Sequence, residues 1–322
     1  MRVVVIGGTG HTGTYLVPRL VEAGCDVTVI SRHQHPRYPA NALCGQAVWE
    51  RARWIEMDRA REEASGEFGP RVAALSPDVV IDMICYQLES ARQLVEALRG
   101  RIQLLIHCGT IWAGGASLHV PSTESEPRRP ICDYGKRKAA IEEYLLSESR
   151  RGSLPVTVLR PGHMVGRGWV PVNPAANFNP QVYSDLARGN EVQLPNLGME
   201  TLHHVHCDDV AQAFMLTLAN WNGATGEAFN VVSDSALTLR GYAEGVARWF
   251  GAPAKLTFTP WEEWKKTASE VDAKVTWDHI LHSSCCSIEK AGRVLGYQPR
   301  YTSLEAIKES LTWLIQNGRV DI

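Results

Sequence analysis

Two residues near the middle of the chain could transfer a proton, because of their side-chain types and their spacing. The stretch DYGKRK at residues 133–138 places Tyr134 four residues before Lys138. On a helix the two side chains would share a face. An ammonium beside a phenol favours the phenolate and so lowers the pKa of the phenol. Such a phenol could donate or accept the proton of an alcohol. The spacing alone is equally typical of the polar first turn of a solvated helix, so the rest of the chain must decide.

Glycines near the N-terminus could bind a pyrophosphate. The segment VVVIGGTGHTGTYL spaces Gly7, Gly10 and Gly13 three residues apart, with His11 and Thr12 between the last two. Glycines allow a tight turn, and the start of a helix offers amide groups and a partial positive charge to phosphate oxygens. Because the glycines lie between a β-branched strand and a helix, they predict a dinucleotide site rather than a turn without a ligand.

The end of the second predicted strand bears on the choice of cofactor. An acidic residue there would bind a ribose 2′-hydroxyl, but the sequence has Ser31 and Arg32. A hydroxyl and a guanidinium suit a 2′-phosphate, so NADP is favoured over NAD, although Arg32 could instead stack on adenine. Asp58, after the third strand, could contact the adenine amine or cap a helix, and the sequence favours neither.

The first half of the chain alternates strand and helix patterns. Continuous apolar strands between helices indicate a parallel sheet covered on both faces, and right-handed crossovers then give a doubly wound, Rossmann-like α/β fold. The predicted strands are 2–6, 26–30, 53–57, 78–84, 101–107 and 155–160, and the predicted helices are 12–24, 89–100 and 133–152, the last with Asp133 as N-cap.

The second half has a different texture. Residues 161–181 are rich in Pro, Gly and Asn and predict an irregular loop, and further helices are expected at 208–220, 238–250 and 303–316. The predicted organisation is an NAD(P)-binding domain over 1–160, to which 203–232 returns, and a smaller substrate-binding cap formed mainly by 161–322.

Composition excludes several classes of protein. The chain has 322 residues, 44% hydrophobic and 21% charged, with a net charge of −2. This predicts a large core, and it gives no basic field for nucleic acid or an anionic membrane. The eight cysteines contain no CxxC spacing, so neither a zinc site nor a disulfide framework is predicted. With no secretion signal or membrane-spanning run in view, a cytoplasmic location is expected.

Taken together, these motifs resemble the extended short-chain dehydrogenase/reductase family, which includes nucleotide-sugar epimerases and dehydratases. The resembling segments are GGTGHTG, DYGKRK, VTVLRPGHMVG, HVHCDDVAQAF and KAGRVLGYQPRYTSLEAIKESL. The resemblance implies hydride transfer with Tyr134 as the proton-transfer residue. Lys138 would tune it and hold the nicotinamide ribose, and Pro161 would contact the cofactor. It also implies a homodimer formed through helices 89–100 and 133–152.

One departure concerns the residue that orients the substrate oxygen. The family places Ser or Thr three residues before an apolar-Tyr pair, and alignment on Ile111-Trp112 puts Cys108 there. A thiol is a poor donor. Thr110 would face the same way on an extended strand, so we expect Thr110 to supply the hydroxyl, with Cys108 as neighbour or partial substitute. The alternative is that both only line the pocket. Gly109-Thr110 stands where dehydratases have Asp-Glu, which disfavours dehydration.

A second departure concerns the substrate. Leu202 and His163 stand where nucleotide-sugar enzymes of the family tend to have Arg and Asn, which disfavours a diphosphate and leaves a sugar or cyclic polyol. The candidate substrate contacts are Trp112, His163, Asn177 and His204. His203, His204 and His206 offer no fourth ligand and alternate in direction, so no metal site is predicted.

The sequence therefore predicts an NAD(P)-dependent oxidoreductase or epimerase. Its substrate would be a secondary alcohol or ketone of a sugar or sugar-like molecule. The alternative is a catalytically silent dinucleotide sensor or RNA-associated scaffold of the same fold. The intact Tyr134–Lys138 pair and the absence of a basic patch weigh against that alternative.

Overall fold

The computed structural model describes residues 1–35, 38 and 46–322. Its strands are β1 (Arg2–Ile6), β2 (Asp26–Ser31), β3 (Arg53–Glu56), β4 (Val79–Asp82), β5 (Leu104–Cys108), β6 (Val156–Pro161), β7 (His163–Val165), β8 (Glu191–Pro195), β9 (Thr201–Leu202), β10 (His204–His206), β11 (Ala228–Val231), β12 (Leu237–Thr238) and β13 (Lys255–Thr259). Its helices are α1 (His11–Glu22), α2 (Gln46–Trp49), α3 (Arg59–Ala64), α4 (Phe68–Ala74), α5 (Leu88–Leu98), α6 (Asp133–Arg150), α7 (Gln181–Arg188), α8 (Cys207–Ala219), α9 (Trp221–Ala224), α10 (Leu239–Trp249), α11 (Trp261–Trp264), α12 (Glu270–His282), α13 (Glu289–Leu295) and α14 (Ser303–Gln316).

Seven parallel strands form the central sheet in the order β3-β2-β1-β4-β5-β6-β11. Strand order reverses between β1 and β4, and ligands of such sheets bind beyond the carboxyl ends of the strands at this reversal. The predicted Rossmann-like, doubly wound parallel sheet is confirmed.

Both faces of the sheet are buried. Along β1, Val3 and Val5 pack into a core with α1, α8 and α13, whereas Val4 and Ile6 pack into a second core with α4, α5 and α6. Burial on both sides explains why these strands are continuous apolar runs rather than alternating ones.

The second half of the chain contributes to the sheet and to a separate core. Strand β11 forms an edge of the sheet beside β6, and α8 packs against α1. Helices α7, α10 and α14 enclose the other apolar cluster. The division into domains at residue 160 stays a prediction. Among the described residues, no helix combines the length and apolarity that crossing a bilayer requires.

Two local predictions need correction. Residues 161–181 are not wholly irregular, because His163–Val165 form β7 and pair in parallel with His204–His206 of β10. The N-cap of α6 is Cys132 rather than Asp133, since the Cys132 Sγ accepts a hydrogen bond from the Gly135 amide at 3.3 Å. Asp133 is the first helical residue, where its negative charge suits the positive end of the helix dipole.

Candidate active site

A cavity of about 620 Å³ opens at the carboxyl edge of the sheet, beside the strand reversal. It is bounded by the glycine loop, the ends of β2, β4 and β5, and residues of the loop after β7. The predicted site residues that line it are Gly7, Gly10, His11, Thr12, Ser31, Arg32, Asp58 and Cys108. Gly13, Thr110, Tyr134, Lys138 and Pro161 lie outside this lining.

Two of the glycines are required for different reasons. Gly7 has a φ of +83°, and a Cβ there would lie 2.6 Å from Ile84 Cγ2. A Cβ on Gly13 would lie 2.0 Å from the main-chain oxygen of Gly8, so this glycine allows α1 to pack closely against the loop. Gly13 thus acts through helix packing, whereas the turn at Gly7 faces the cavity.

His11 is the unusual member of the glycine loop. Its ring is buried, stacks on Trp169 with a centroid distance of 5.3 Å, and contacts Tyr38 at 4.8 Å. Neither ring nitrogen has a hydrogen-bond partner among the described residues. Burial, and next the nearby His206, lowers the pKa of His11 to about 3, so the ring is neutral at neutral pH.

The residues predicted to select the cofactor have different surroundings. The Ser31 hydroxyl donates to the His33 oxygen at 2.5 Å and accepts from Trp54 Nε1 at 3.0 Å. Arg32 is exposed, and its guanidinium makes no hydrogen bond or ion pair with another described residue. Asp58 lines the cavity and also caps α3, because its carboxylate accepts from the Arg61 amide at 3.2 Å. Both interpretations of Asp58 therefore fit the geometry.

Arg59 is a buried cation of this cavity that the sequence analysis missed. It contacts Asp82 at 2.7 Å and Glu63 at 2.6 Å, while its Nη2 has no partner among the described residues. Burial alone would lower the pKa of Arg59, but the charge of Asp82 offsets this and raises it. The sequence feature that could have identified Arg59 is its position directly after Asp58, a residue already predicted to lie at the cofactor site.

Asp82, Cys85 and His107 bring three potential metal-ligating atoms within 4.8 Å of one another. Among the described residues, this is the one such group. Arg59 already pairs with Asp82, and the Lys138 ammonium lies against the Cys85 oxygen. Two cations beside the group oppose the binding of a third.

Helix α6 brings the proton-transfer pair to the end of β5. The Lys138 Nζ is buried and donates to the main-chain oxygens of Cys85 at 2.9 Å and Cys108 at 2.7 Å. The half-buried Tyr134 lies close enough to Thr110 for the threonine hydroxyl to lower the pKa of the phenol. That hydroxyl also accepts a hydrogen bond from the Trp112 amide at 3.3 Å. Tyr134 also lies close enough to Cys108 and Tyr86, both at the cavity wall, for their charges to affect it.

Burial has the largest effect on the pKa values of Tyr134, Lys138 and Cys108. It raises the pKa of Tyr134, with Cys108 and Tyr86 adding to the effect and the nearby Thr110 hydroxyl opposing it. The pKa of Tyr134 is therefore raised in this structure, and not lowered as predicted, because burial outweighs the favourable interactions around the phenol. Burial lowers the pKa of Lys138 and raises that of the Cys108 thiol. A protonated Cys108 is a poor nucleophile.

Three of the four candidate substrate residues meet beside Tyr134. The Trp112 ring lies 6.2 Å from Tyr134 and 5.9 Å from His163, which lies 5.7 Å from His204. Two histidines that the sequence analysis did not select, His279 and His282 of α12, complete the group.

Asn177, the fourth candidate, forms hydrogen bonds with other residues of the protein. Its Nδ2 donates to Thr276 Oγ1 at 3.1 Å, and its Oδ1 accepts from Asn173 Nδ2 at 2.6 Å. It ties the loop after β7 to α12, and this leaves its amide little capacity for a substrate.

Comparison with known proteins is consistent with this architecture. A model of the NAD dependent epimerase/dehydratase family matches residues 3–231. The chain is 26% identical to the 2'-dehydrokanamycin reductase of Streptomyces kanamyceticus, over 99% of this chain and 86% of that protein. It is 25% identical to the chloroplast stem-loop binding protein of 41 kDa b from Arabidopsis thaliana, over 96% of this chain and 78% of that protein.

Solved structures share the fold. A UDP-glucose 4-epimerase from Thermotoga maritima, solved with UDP-glucose, superposes with a TM-score of 0.71 at 20% identity, covering 98% of this chain and 99% of that chain. The family match spans most of the chain and contains both the glycine loop and the Tyr134–Lys138 pair. The chain therefore belongs to the NAD-dependent epimerase/dehydratase family, within the extended short-chain dehydrogenases/reductases.

Proposed function

We propose that the protein is an NAD(P)-dependent oxidoreductase that reduces a ketone, or oxidises a secondary alcohol, of a sugar-like small molecule. The observation that carries the proposal is the Tyr134 phenol, which lies next to Thr110 and to Cys108 and Tyr86, two residues that line a cavity suited to a dinucleotide. Lys138 lies on the same helix face, fixed to the ends of two sheet strands.

The cavity residues fit a dinucleotide. The first amides of α1 have no acceptor within the helix and begin at His11, inside the cavity lining. The guanidinium of Arg32 adds positive charge on the same cavity. The charge of Arg59 is offset by Asp82 and Glu63, but its unpartnered Nη2 can still donate a hydrogen bond there. When bound there, the nicotinamide would supply or accept the hydride.

The protein's own residues would move the proton. Because burial keeps the Tyr134 phenol protonated, it can donate to the oxygen of a carbonyl as that carbon accepts hydride. The Thr110 hydroxyl would orient the same oxygen, and the Lys138 ammonium would stabilise the phenolate that remains. Oxidation of an alcohol is the reverse of this step.

A net redox reaction is favoured over epimerisation and over dehydration, the two related reactions of this family. A protonated phenol suits carbonyl reduction, and the similarity to a 2'-dehydrokanamycin reductase points the same way. An epimerase would use the same groups but return the hydride with its cofactor retained. Elimination of water needs a placed acid and base, and Gly109-Thr110 supplies no carboxylate.

We also propose NADP as the preferred cofactor and a homodimer as the assembly. Arg32 is exposed on the cavity at the end of β2, where a 2′-phosphate would lie in this fold. The assembly would use α5 and α6, which contact each other on the face of the sheet opposite α1.

The first test is to denature the purified protein and identify any released dinucleotide by mass and absorbance. Stoichiometric NAD(H) would support an epimerase that retains its cofactor and would contradict the NADP proposal. A protein free of dinucleotide that binds NADPH more tightly than NADH is the expected result.

The decisive variant is Tyr134→Phe, assayed with NADPH and a panel of cyclic ketones. We expect kcat to fall by about 100-fold or more, the usual contribution of a placed acid, with unchanged NADPH affinity. Tyr144→Phe is the matched control, since Tyr144 is the other half-buried tyrosine of α6. If Tyr134→Phe were as active as the unmodified protein, the proposed function would be wrong.

The similarity to a stem-loop binding protein suggests RNA binding as a second function to test. In that case the protein would shift an RNA hairpin in a gel at physiological salt, and Tyr134→Phe would not alter the shift. With a net charge of −2 and 21% charged residues, the chain offers little electrostatic attraction for RNA. We therefore expect no shift below micromolar protein concentration.

A further inference from the structure

Four histidines and a tryptophan converge beside the proposed proton donor. We call His163, His204, His279, His282 and Trp112 the imidazole cluster. The Trp112 ring stacks on His282 at 4.1 Å and lies 5.1 Å from His279. His163 lies 4.9 Å from His279 and 5.7 Å from His204. These residues come from the turn after β5, from β7 and β10, and from α12, so only the tertiary fold assembles them.

Backbone carbonyls fix the tautomer of three of these rings. A carbonyl oxygen only accepts, so the ring nitrogen facing it must carry the hydrogen. Val275 O lies 2.7 Å from His279 Nδ1, Asp278 O lies 2.6 Å from His282 Nδ1, and Val172 O lies 3.3 Å from His204 Nε2. The remaining nitrogens are therefore acceptors in the neutral rings: Nε2 of His279, Nε2 of His282 and Nδ1 of His204.

Several polar atoms of the cluster are buried without a partner. They are His204 Nδ1, His282 Nε2 and Trp112 Nε1, none of which forms a hydrogen bond with a described residue. Buried polar atoms nearly always have partners, and leaving one unpaired costs free energy. The three atoms have almost no accessible surface in this arrangement, so a polar ligand would supply the bonds only by entering between the connected rings next to Tyr134.

The nearby His203 shows what a purely structural histidine looks like here. Its Nε2 contacts the Ser233 oxygen at 3.0 Å, and its Nδ1 accepts from the Cys286 amide at 3.1 Å. Both of its nitrogens are thus satisfied by the backbone.

The cluster is not arranged for a metal ion. Among the described residues, its nitrogens do not form a group of three within 4.8 Å of one another. Zinc requires ligand atoms about 2 Å from one centre, which implies much closer spacing.

The charge of the cluster disfavours anions. Burial lowers the pKa of all four histidines, to about 3 for His204 and about 4 for His279, so their free nitrogens present lone pairs at neutral pH. Among the described residues, no lysine or arginine forms a hydrogen bond, ion pair or cation–π contact with a residue of the cluster. A phosphate would therefore meet acceptors without a compensating cation.

Only the outer edge of the cluster, beside Tyr134, borders solvent, because His204, His279 and His282 are buried. Trp112 and His163 are half-buried, and Phe178, which is 43% exposed, contacts the His279 ring at 6.1 Å. The Trp112 ring lies 6.2 Å from Tyr134. A ring molecule bound here would place one of its carbons near the phenol.

We propose that the imidazole cluster is the substrate subsite, and that it binds the O–H or N–H groups of a polyol ring that carries no phosphate. The three imidazole acceptors would take hydroxyl or amino hydrogens, and Trp112 Nε1 would donate to a ring or hydroxyl oxygen. The proposal rests on the proposed function, because it assumes that Tyr134 faces the reacting carbon.

The first test measures binding rather than turnover. Calorimetry on Tyr134→Phe protein, saturated with the dinucleotide it binds more tightly, would compare myo-inositol, glucosamine and kanamycin with myo-inositol 1-phosphate, glucosamine 6-phosphate and UDP-glucose. We expect at least one phosphate-free ring to bind, and more tightly than every phosphorylated probe. Tighter binding of a phosphorylated probe, or no binding by any phosphate-free ring, overturns the proposal. Comparison of glucosamine with myo-inositol tells whether amino or hydroxyl hydrogens are preferred.

The second test removes one acceptor. For the ring that binds, His279→Leu should weaken affinity about 10-fold, the effect of one lost hydrogen bond of about 1.4 kcal/mol. His279→Gln, which keeps an acceptor, should recover most of it, and His203→Gln is the matched control outside the cluster. Unchanged dinucleotide affinity would show that each variant is folded.

The two proposals fail differently. Equal ring affinity in His279→Leu and the unmodified protein would overturn the subsite. Normal ring binding without any ketone reduction in the unmodified protein would overturn the proposed function and leave the subsite standing.

Discussion

The Lys138 ammonium donates a hydrogen bond to the main-chain oxygen of Cys108, with the two atoms 2.7 Å apart. A second bond to the Cys85 oxygen, at 2.9 Å, ties the same ammonium to the loop after β4. Helix α6 is thereby fastened to the carboxyl ends of two adjacent strands. Two of the three ammonium hydrogens are used in this way, and the third can meet a ligand or the phenolate of Tyr134. Lys138 thus has a positioning role that the four-residue spacing does not reveal.

Replacing Lys138 should therefore damage both stability and activity. Lys138→Met leaves two buried carbonyls without donors, and we expect the free energy of unfolding to fall by about 2 kcal/mol. Ketone reduction should fall at least about 100-fold, because the phenolate loses its counter-charge. Urea denaturation and kcat/KM measure the two effects. The exposed Lys136→Met on the same helix is the control, and a stable but inactive Lys138→Met would contradict the positioning role.

Thr110 and Cys108 should differ sharply when substituted. Thr110→Val removes the hydroxyl next to Tyr134, so we expect kcat to fall by about 100-fold, the scale for one transition-state donor. Cys108→Ala should change kcat by less than about 3-fold, because the main-chain oxygen that holds Lys138 remains. Steady-state kinetics with NADPH would test both variants. A larger loss in Cys108→Ala would mean that the thiol, and not Thr110, orients the substrate.

Arg32 should decide between the two dinucleotides. Removing a guanidinium that pairs with a 2′-phosphate should weaken NADPH binding by about 10- to 100-fold, the scale of a charge-assisted hydrogen bond. Affinity for NADH should stay within about 2-fold, because it has no 2′-phosphate for Arg32 to contact. Fluorescence titration of Arg32→Ala would measure both, with Arg61→Ala as an exposed control outside the cavity lining. Equal weakening of both dinucleotides would instead indicate that Arg32 stacks on adenine.

The sequence located the proton-transfer helix and the glycine loop well because both depend on local patterns. The predicted helix 133–152 corresponds to Asp133–Arg150, and the strand before Gly7 has the predicted bounds Arg2–Ile6. The protonation of Tyr134 could not be predicted, because its pKa is set by burial among residues distant in sequence.

Helix α12 was missed for a different reason. It buries His279 and His282 and leaves Trp277 and Leu281 more than a third exposed. Apolar periodicity therefore points to the solvent face of this helix, and the polar residues that reach the imidazole cluster carry no apolar signal. A helix that turns histidines inward can be recognised only when the tertiary structure shows what they meet.

His11 should make the protein sensitive to mild acid. Its pKa is lowered from 6.5 to about 3 by burial, so the folded state binds no proton there between those values while the unfolded state does. Stability is thus fully present above pH 6.5 and decreases as pH falls, by up to about 1.4 kcal/mol for each pH unit.

His11→Phe should keep the stack on Trp169 and remove two unpartnered buried nitrogens. It should also lessen the loss of stability between pH 6.5 and 5, while the other buried histidines with lowered pKa values keep their share of that loss. Urea midpoints at several pH values would measure this, with the exposed His33→Phe as control. An unchanged slope in His11→Phe would show that other groups cause the acid sensitivity.

Gly13 should tolerate no side chain at all. A Cβ there would lie 2.0 Å from the Gly8 main-chain oxygen, and neither this backbone oxygen nor a Cβ fixed to the helix can rotate away. We expect Gly13→Ala to lower the free energy of unfolding by about 3 kcal/mol, at the upper end of overpacking costs, despite the better helix propensity of alanine. Gly223→Ala is the matched control, because its Cβ would meet only a Val294 methyl at 3.4 Å. Dinucleotide affinity should fall in Gly13→Ala as well, since moving α1 moves the first-turn amides away from the cavity. If Gly13→Ala were as stable as Gly223→Ala and bound the dinucleotide normally, α1 could shift without consequence, and the close packing of Gly13 on Gly8 would not be what shapes the glycine loop.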